Sequence, residues 1–144
     1  MSIKPQQFEN HARYVPLFHF VLSLMLTVNL VWVVVQLVRA PTGQRWVDLM
    51  MALAYGIIFF YMRRFPATVQ DRVIRLEETL RLQRLAPDLA NRAGELSPGQ
   101  WIGLRFASDE EFPALVRRVL DEKIVGRAAI KRLVKHWRPD YLRA

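Results

Sequence analysis

Apolar and polar positions change character along the chain. From Leu17 to Val38 it reads LFHFVLSLMLTVNLVWVVVQLV, without a single Asp, Glu, Lys or Arg. A helix of that length reaches about 33 Å, against about 30 Å for the hydrocarbon core of a bilayer. A soluble amphipathic helix this long would carry charge on one face. A polar link, RAPTGQR, leads into a second apolar run, WVDLMMALAYGIIFFYM. Its central part, Val47 to Met62, covers only about 24 Å. The aromatic rings of Trp46, Tyr55, Phe59, Phe60 and Tyr61, and the snorkelling stems of Arg63 and Arg64, extend it at the interfaces. Residues 17–62 therefore predict a transmembrane hairpin with spans 17–38 and 47–62, in which Asp48 caps the second helix or pairs with Arg39 or Arg45.

Beyond the second run the period shortens to that of surface helices. Pro66 is expected to break or kink the chain as it leaves the bilayer. Residues 63–86 then predict a juxtamembrane helix, with Val69, Val73, Leu76 and Leu80 at 4, 3, 4 spacing in one apolar seam. That seam either pairs with a second copy or packs on the following domain or on lipid, and Arg72, Arg75, Glu78, Arg81 and Arg84 fall off it. Residues 87–144 predict a small domain of short helices. Ser97-Pro98-Gly99-Gln100 and Ser108-Asp109-Glu110-Glu111 both have the form of capping boxes. The first opens QWIGLRFA. The second opens EEFPALVRRVLDEK, with Phe112, Leu115, Val116, Val119 and Leu120 on one face. After Gly126, RAAIKRLVKHW sets Ile130, Leu133, Val134 and Trp137 on one side of a last helix. The fold class is all-α: a transmembrane helical hairpin followed by a small cytosolic helical domain, after an N-terminal cytosolic or interfacial segment, 1–16, with Phe8, Tyr14 and Phe18 at the interface.

Charge orients this arrangement. The chain has 144 residues and a formal net charge of +8. Most of its Lys and Arg residues follow the second span, six of them between Arg63 and Arg84. The positive-inside rule places that side in the cytoplasm, with both termini there and the link outside. Arg63, Arg64, Arg72 and Arg75 are the expected contacts to lipid headgroups. Cysteine is absent, which removes disulfides, thiol nucleophiles and cysteine metal sites.

Candidate chemistry is sparse. Within the first span, His19, Ser23 and Thr27 fall on one side, and Asn29 and Gln36 lie about 20° apart on another line. These polar groups are expected to bond the second span or another copy. A conducting path along them, in a small homo-oligomer, is the alternative. Ala52 and Gly56 form a small-xxx-small pair. No histidine pair, phosphate loop or nucleophile motif is present, so no catalytic, metal or cofactor site is expected and the protein is expected not to be an enzyme. The acids Asp109, Glu110 and Glu111 fit a helix start better than a metal or catalytic set. A helix-turn-helix outline near the C-terminus raises nucleic-acid binding, against which the last helix has an ordinary amphipathic split.

Three stretches, FENHARYVPLFHF, GQWIGLRFASDEEFPALV and AAIKRLVKHWRPDYLR, resemble an uncharacterised bacterial family of small membrane proteins, a domain of unknown function. The resemblance covers nearly the whole chain and implies two spans with a helical cytosolic tail. It implies no activity, and it singles out Asn10, His11, Pro16, His19, Arg105, Asp109, Trp137, Asp140 and Arg143. Of these, Arg105, Asp109, Trp137, Asp140 and Arg143 form the candidate interaction surface. The expected role is that of a scaffold, adaptor or accessory subunit, with the lipid bilayer and a protein partner or a second copy as partners. Self-association would run through the first span and the juxtamembrane helix.

Overall fold

All regular structure is helical among the residues described in the computed structural model, 7–8 and 14–140. The chain divides into two compact units, one of residues 12–66 and one of residues 1–11 with 67–144. The helices are α1 (Ser23–Arg39), entered through a π-helical turn at Leu17–Leu22, α2 (Gly43–Leu85), α3 (Pro98–Leu104), α4 (Phe112–Asp121) and α5 (Arg127–Leu133). A 3-10 helix, Pro87–Glu95, joins α2 to α3.

In the unit of residues 12–66, two helices are long and apolar enough to cross a membrane. Leu17–Arg39 has a mean hydropathy of 2.3, and the most apolar window of Gly43–Leu85 has 1.3. Phe18, at the start of the first, stacks on Phe59 of α2 with centroids 4.6 Å apart, so the two runs fold back as a hairpin. The turn is tighter than RAPTGQR implies. Thr42 accepts from Arg45 N–H and Trp46 N–H through its carbonyl, and from Arg45 N–H through its hydroxyl. The second helix therefore starts at Gly43, not Val47, and among the described residues Asp48 neither caps it nor pairs with an arginine. Its carboxylate accepts from Gln44 Nε2 at 3.0 Å. The Arg45 guanidinium turns back instead onto carbonyls at the end of α1, 2.6 Å from the Gln36 oxygen, which also accepts the Ala40 N–H, and bonded to that of Ala40. In the small-xxx-small pair, Ala52 is buried, but nothing lies near the position a Gly56 side chain would take.

Pro66 does not break the chain. It lies inside α2, where proline withholds one N–H from the ladder and leaves the rest of the helix its bonds. The helix ends at Leu85, before Pro87.

The unit of residues 1–11 and 67–144 builds one core around Trp101, Leu104, Phe106, Phe112, Val116, Val119 and Ile130, all fully buried, with Leu82 of α2 among them. The first capping box is complete. Ser97 Oγ accepts from Gln100 N–H, and Gln100 Oε1 accepts from Ser97 N–H at 2.7 Å. Gln100 Nε2 also donates to the Ile124 carbonyl beyond α4. The second box is half made: Ser108 Oγ accepts from Glu111 N–H, but the Glu111 carboxylate goes elsewhere, and α4 starts at Phe112 after a turn. The apolar face foreseen for α4 is buried throughout.

The last helix is shorter than RAAIKRLVKHW predicts. It stops at Leu133, and after a bend at 135–136 the chain passes beside 106–108 through a single bridge of Trp137 with Ala107, with Ser108 N–H donating to the His136 carbonyl at 2.9 Å and Arg138 N–H to that of Phe106 at 2.7 Å. Glu111 accounts for the early stop. Its two oxygens accept the Lys135 and His136 N–H groups at 3.1 and 3.2 Å, and these donors are lost to a continuing helix. Ile130, Val134 and Trp137 still reach the core.

The contact of α3 with α5 is closest at Gly103, where a Cβ would lie 2.9 Å from Ile130 Cβ and 3.2 Å from the Arg127 carbonyl oxygen. Gly103→Ala should therefore destabilise the domain by about 1–3 kcal/mol, from overpacking. Gly99→Ala, which meets open space, should stay within about 0.5 kcal/mol of the parent. Urea unfolding of the detergent-solubilised protein, followed by circular dichroism, separates the two.

Candidate functional site

The buried side of α2 in the domain is not the predicted seam. Val69, Val73, Leu76 and Leu80 are exposed, whereas Ile74, Glu78, Arg81 and Leu82 are buried. The domain therefore packs on a line containing an ion pair, because that pair finds polar partners in the domain that the aliphatic seam lacks.

Arg81 is the hub. Its Nε donates to Asp109 Oδ1 at 2.8 Å, one terminal nitrogen to Glu78 Oε2 at 3.0 Å, and the other to the Ala107 carbonyl at 2.7 Å. Its guanidinium carbon lies 4.2 Å from the centre of the Phe112 ring. Arg84 holds the other oxygen of Asp109 at 3.0 Å, and Arg138 lies 3.6 Å from Glu78. Burial pushes the Glu78 carboxyl up from its ordinary range, while the Arg81 and Arg138 cations pull it back.

A second tie lies beside the first. Arg105 is 3.4 Å from Asp140, and Phe106 is flanked by the Trp137 ring, 4.9 Å away, and by the Lys131 ammonium at 4.6 Å. Of the five residues expected to form an interaction surface, Arg105, Asp109, Trp137 and Asp140 are thus brought together, but their contacts are internal. They fasten residues 105–109 and 137–140 to the domain. Arg143 lies outside the described residues, as do Asn10 and His11.

Between α2 and residues 138–140 runs an open groove of about 730 Å³, lined by Val73, Leu80, Arg84, Arg105, Arg138 and Asp140 among others. Its arginines face Glu78, Asp109 and Asp140. The lining is therefore close to charge-balanced and offers no cradle selective for an anion. Among the described residues, no three His, Asp or Glu side chains converge as a metal site would require.

The polar groups of the first apolar helix separate into two sets. His19 Nδ1 lies 3.0 Å from the Val15 backbone, Ser23 Oγ donates to the Phe18 carbonyl, and Thr27 Oγ1 donates to that of Ser23 at 2.8 Å. Those three bond within residues 15–27, and of the two expected partners, the second span and another copy, the second span takes none of these bonds. Asn29 is exposed and Gln36 half-buried on the remaining line. Arg63, Arg64, Arg72 and Arg75 are all exposed. In α5, Lys131 is buried against Phe106, and Arg132 lies 5.4 Å from the Phe8 ring, which packs with the domain.

A family model matches residues 1–144. The chain belongs to DUF6526, a family of unknown function. This agrees with the whole-length resemblance drawn from its sequence. No curated protein and no solved structure matches it.

In this DUF6526 protein the sequence signals missed Glu78, Arg81 and Glu111 as organising residues. A signal existed for the first two: an acid and a base three apart, flanked by Ile74 and Leu82, interrupt a second apolar line on α2. Removing one partner of a buried pair strands the other. Arg81→Met should cost about 3–5 kcal/mol at neutral pH. A carboxyl raised on folding contributes stability fully below the ordinary carboxylate range, and that contribution is lost as pH rises through the native value. Without Arg81 the Glu78 carboxyl is raised further and takes up its proton above the ordinary carboxylate range, so the deficit should shrink as pH is lowered into that range. Unfolding midpoints of parent and variant across that range test this; a pH-independent deficit would contradict it.

Proposed function

We propose that this protein is a non-enzymatic membrane tether. In this reading its two spans hold a small basic helical domain at the cytosolic face of a bacterial inner membrane, where the domain serves as scaffold, adaptor or accessory subunit. The observation that carries this is how little of the apolar helices the protein covers. In the most apolar window of each, only 6 % is buried. Leu17, Leu24, Met25 and Val38 on one, and Met50, Ile57 and Phe60 on the other, lie open. A soluble core helix of this hydropathy is mostly covered, and an apolar surface of this extent needs lipid or a partner.

The side chains near the turn support the orientation. Arg45 is engaged with the carbonyls closing α1, and Arg39 sits in that helix's last turn, where a cation suits the dipole. Both link arginines thus have local reasons to be there, and the exposed Arg63, Arg64, Arg72 and Arg75 carry the positive-inside signal. Conduction along the first span draws less support, since three of its five polar groups are bonded within their own helix. Nucleic-acid binding through α5 draws less as well, because Lys131 and Arg132 are drawn onto aromatic rings.

The tether requires that the protein resist alkaline carbonate extraction. A single cysteine replacing Gly43 should react with an impermeant maleimide from outside intact cells, and one replacing Val125, exposed in the domain, only after permeabilisation. Release by carbonate would overturn the membrane reading, and reversed labelling would overturn the orientation. Native mass measurement of the complex in mild detergent then shows whether a foreign chain accompanies it in fixed ratio, as an accessory subunit demands.

A further inference from the structure

We propose that the domain part of α2 is a parallel homodimer interface, in which Val69, Val73, Leu76 and Leu80 of two copies meet and Arg72 of each pairs with Glu77 of the other. The four aliphatic side chains are 60, 47, 62 and 57 % exposed. Single exposed aliphatics are unremarkable, but four in one 4, 3, 4 line make a patch. The domain does not cover that line, because its own core takes the opposite side of the helix through Ile74, Glu78, Arg81 and Leu82. The helix therefore has two adhesive faces, and among the described residues only one is occupied.

The spacing selects the occupant. A 4, 3, 4 progression assigns Val69 and Leu76 to d positions and Val73 and Leu80 to a positions of a coiled-coil heptad. Gln70 and Glu77 are then e residues, and Arg72 and Thr79 are g residues. In a parallel, in-register pair, a g residue faces the e residue five positions later on the other chain. Arg72 faces Glu77 in this way, and by symmetry the ion pair forms twice. Both residues are exposed, and neither forms a salt bridge within the described residues. A second copy thus matches the surface in shape and in charge. Two heptads are too few for a stable coiled coil in free solution. The parallel orientation rests on the tether proposed above, since copies anchored in one membrane with the same topology present α2 at one height and raise each other's effective concentration.

The chain contains no cysteine, so single cysteines report cleanly. In native membranes under mild oxidation, full-length protein carrying Leu76→Cys should give a covalent band at twice the chain mass, and Arg75→Cys, one position off the seam, should not. Arg72→Glu added to Leu76→Cys should lose the dimer band, and Glu77→Arg added to both should restore it. All four positions are exposed, so folding is preserved, which circular dichroism checks. Equal cross-linking at 75 and 76, no cross-linking at 76, or failure of the charge swap to restore the band overturns the dimer. So does a Leu76→Cys adduct to a different protein, or quenching of a fluorophore at residue 76 by quenchers carried on lipid. A chain retained after carbonate extraction but monomeric at Leu76→Cys refutes the dimer and leaves the tether standing. A chain released by carbonate refutes the tether, and cross-linking still reads the dimer on its own.

Discussion

The domain depends on a buried cation. Arg81 gives its donors to Asp109, Glu78 and the Ala107 carbonyl and lays its plane over Phe112. One side chain thereby binds α2 to the turn before α4 and to the first residue of that helix. Two charges withdrawn from water carry a desolvation cost of several kcal/mol each, and a pair of this kind is tolerable only when its remaining donors and acceptors are met. Here they are met, so the pair fixes one register of α2 against the domain; an aliphatic seam would accept several. The core of Trp101, Phe106, Phe112 and Ile130 then closes over a position already set.

Other charges act in the same manner over shorter reach. Glu111 gathers two backbone N–H groups and stops α5, so that residues 134–138 lie against 106–108. Arg45 closes the carbonyl end of α1. Surface pairs such as Arg92 with Asp121 and Arg117 with Asp88 are exposed and add little by comparison. What distinguishes the organising charges is that each satisfies backbone groups that burial or a helix end would otherwise leave open.

Sequence patterns revealed the parts that depend on neighbours in the chain. The Ser97–Gln100 box, the apolar face of α4 and the two long apolar runs follow from local spacing, and the structure has all of them. The parts that depend on distant partners were hidden. Glu78 and Arg81 read only as lying off the apolar seam, and the contacts of Arg81 with Asp109 and Ala107 that allow their burial come from distant residues. Glu111 fits a capping box until the Lys135 and His136 amides compete for it. Pro66 reads as a break or a kink because a single N–H is lost, and of these the break is absent, since α2 continues on both sides of it. The family resemblance singled out Arg105, Asp109, Trp137 and Asp140, and in the structure each makes contacts within the domain.

The close approach of α3 to α5 at Gly103 has a bearing on the order in which the protein matures. Ile130, which fills the space above that glycine, is synthesised well after both apolar runs have left the ribosome. Completion of the core therefore follows synthesis of both apolar runs, and α3 and α4 pass through an interval with their apolar faces uncovered. Nascent chains in that interval are the form of this protein most exposed to chaperones and proteases.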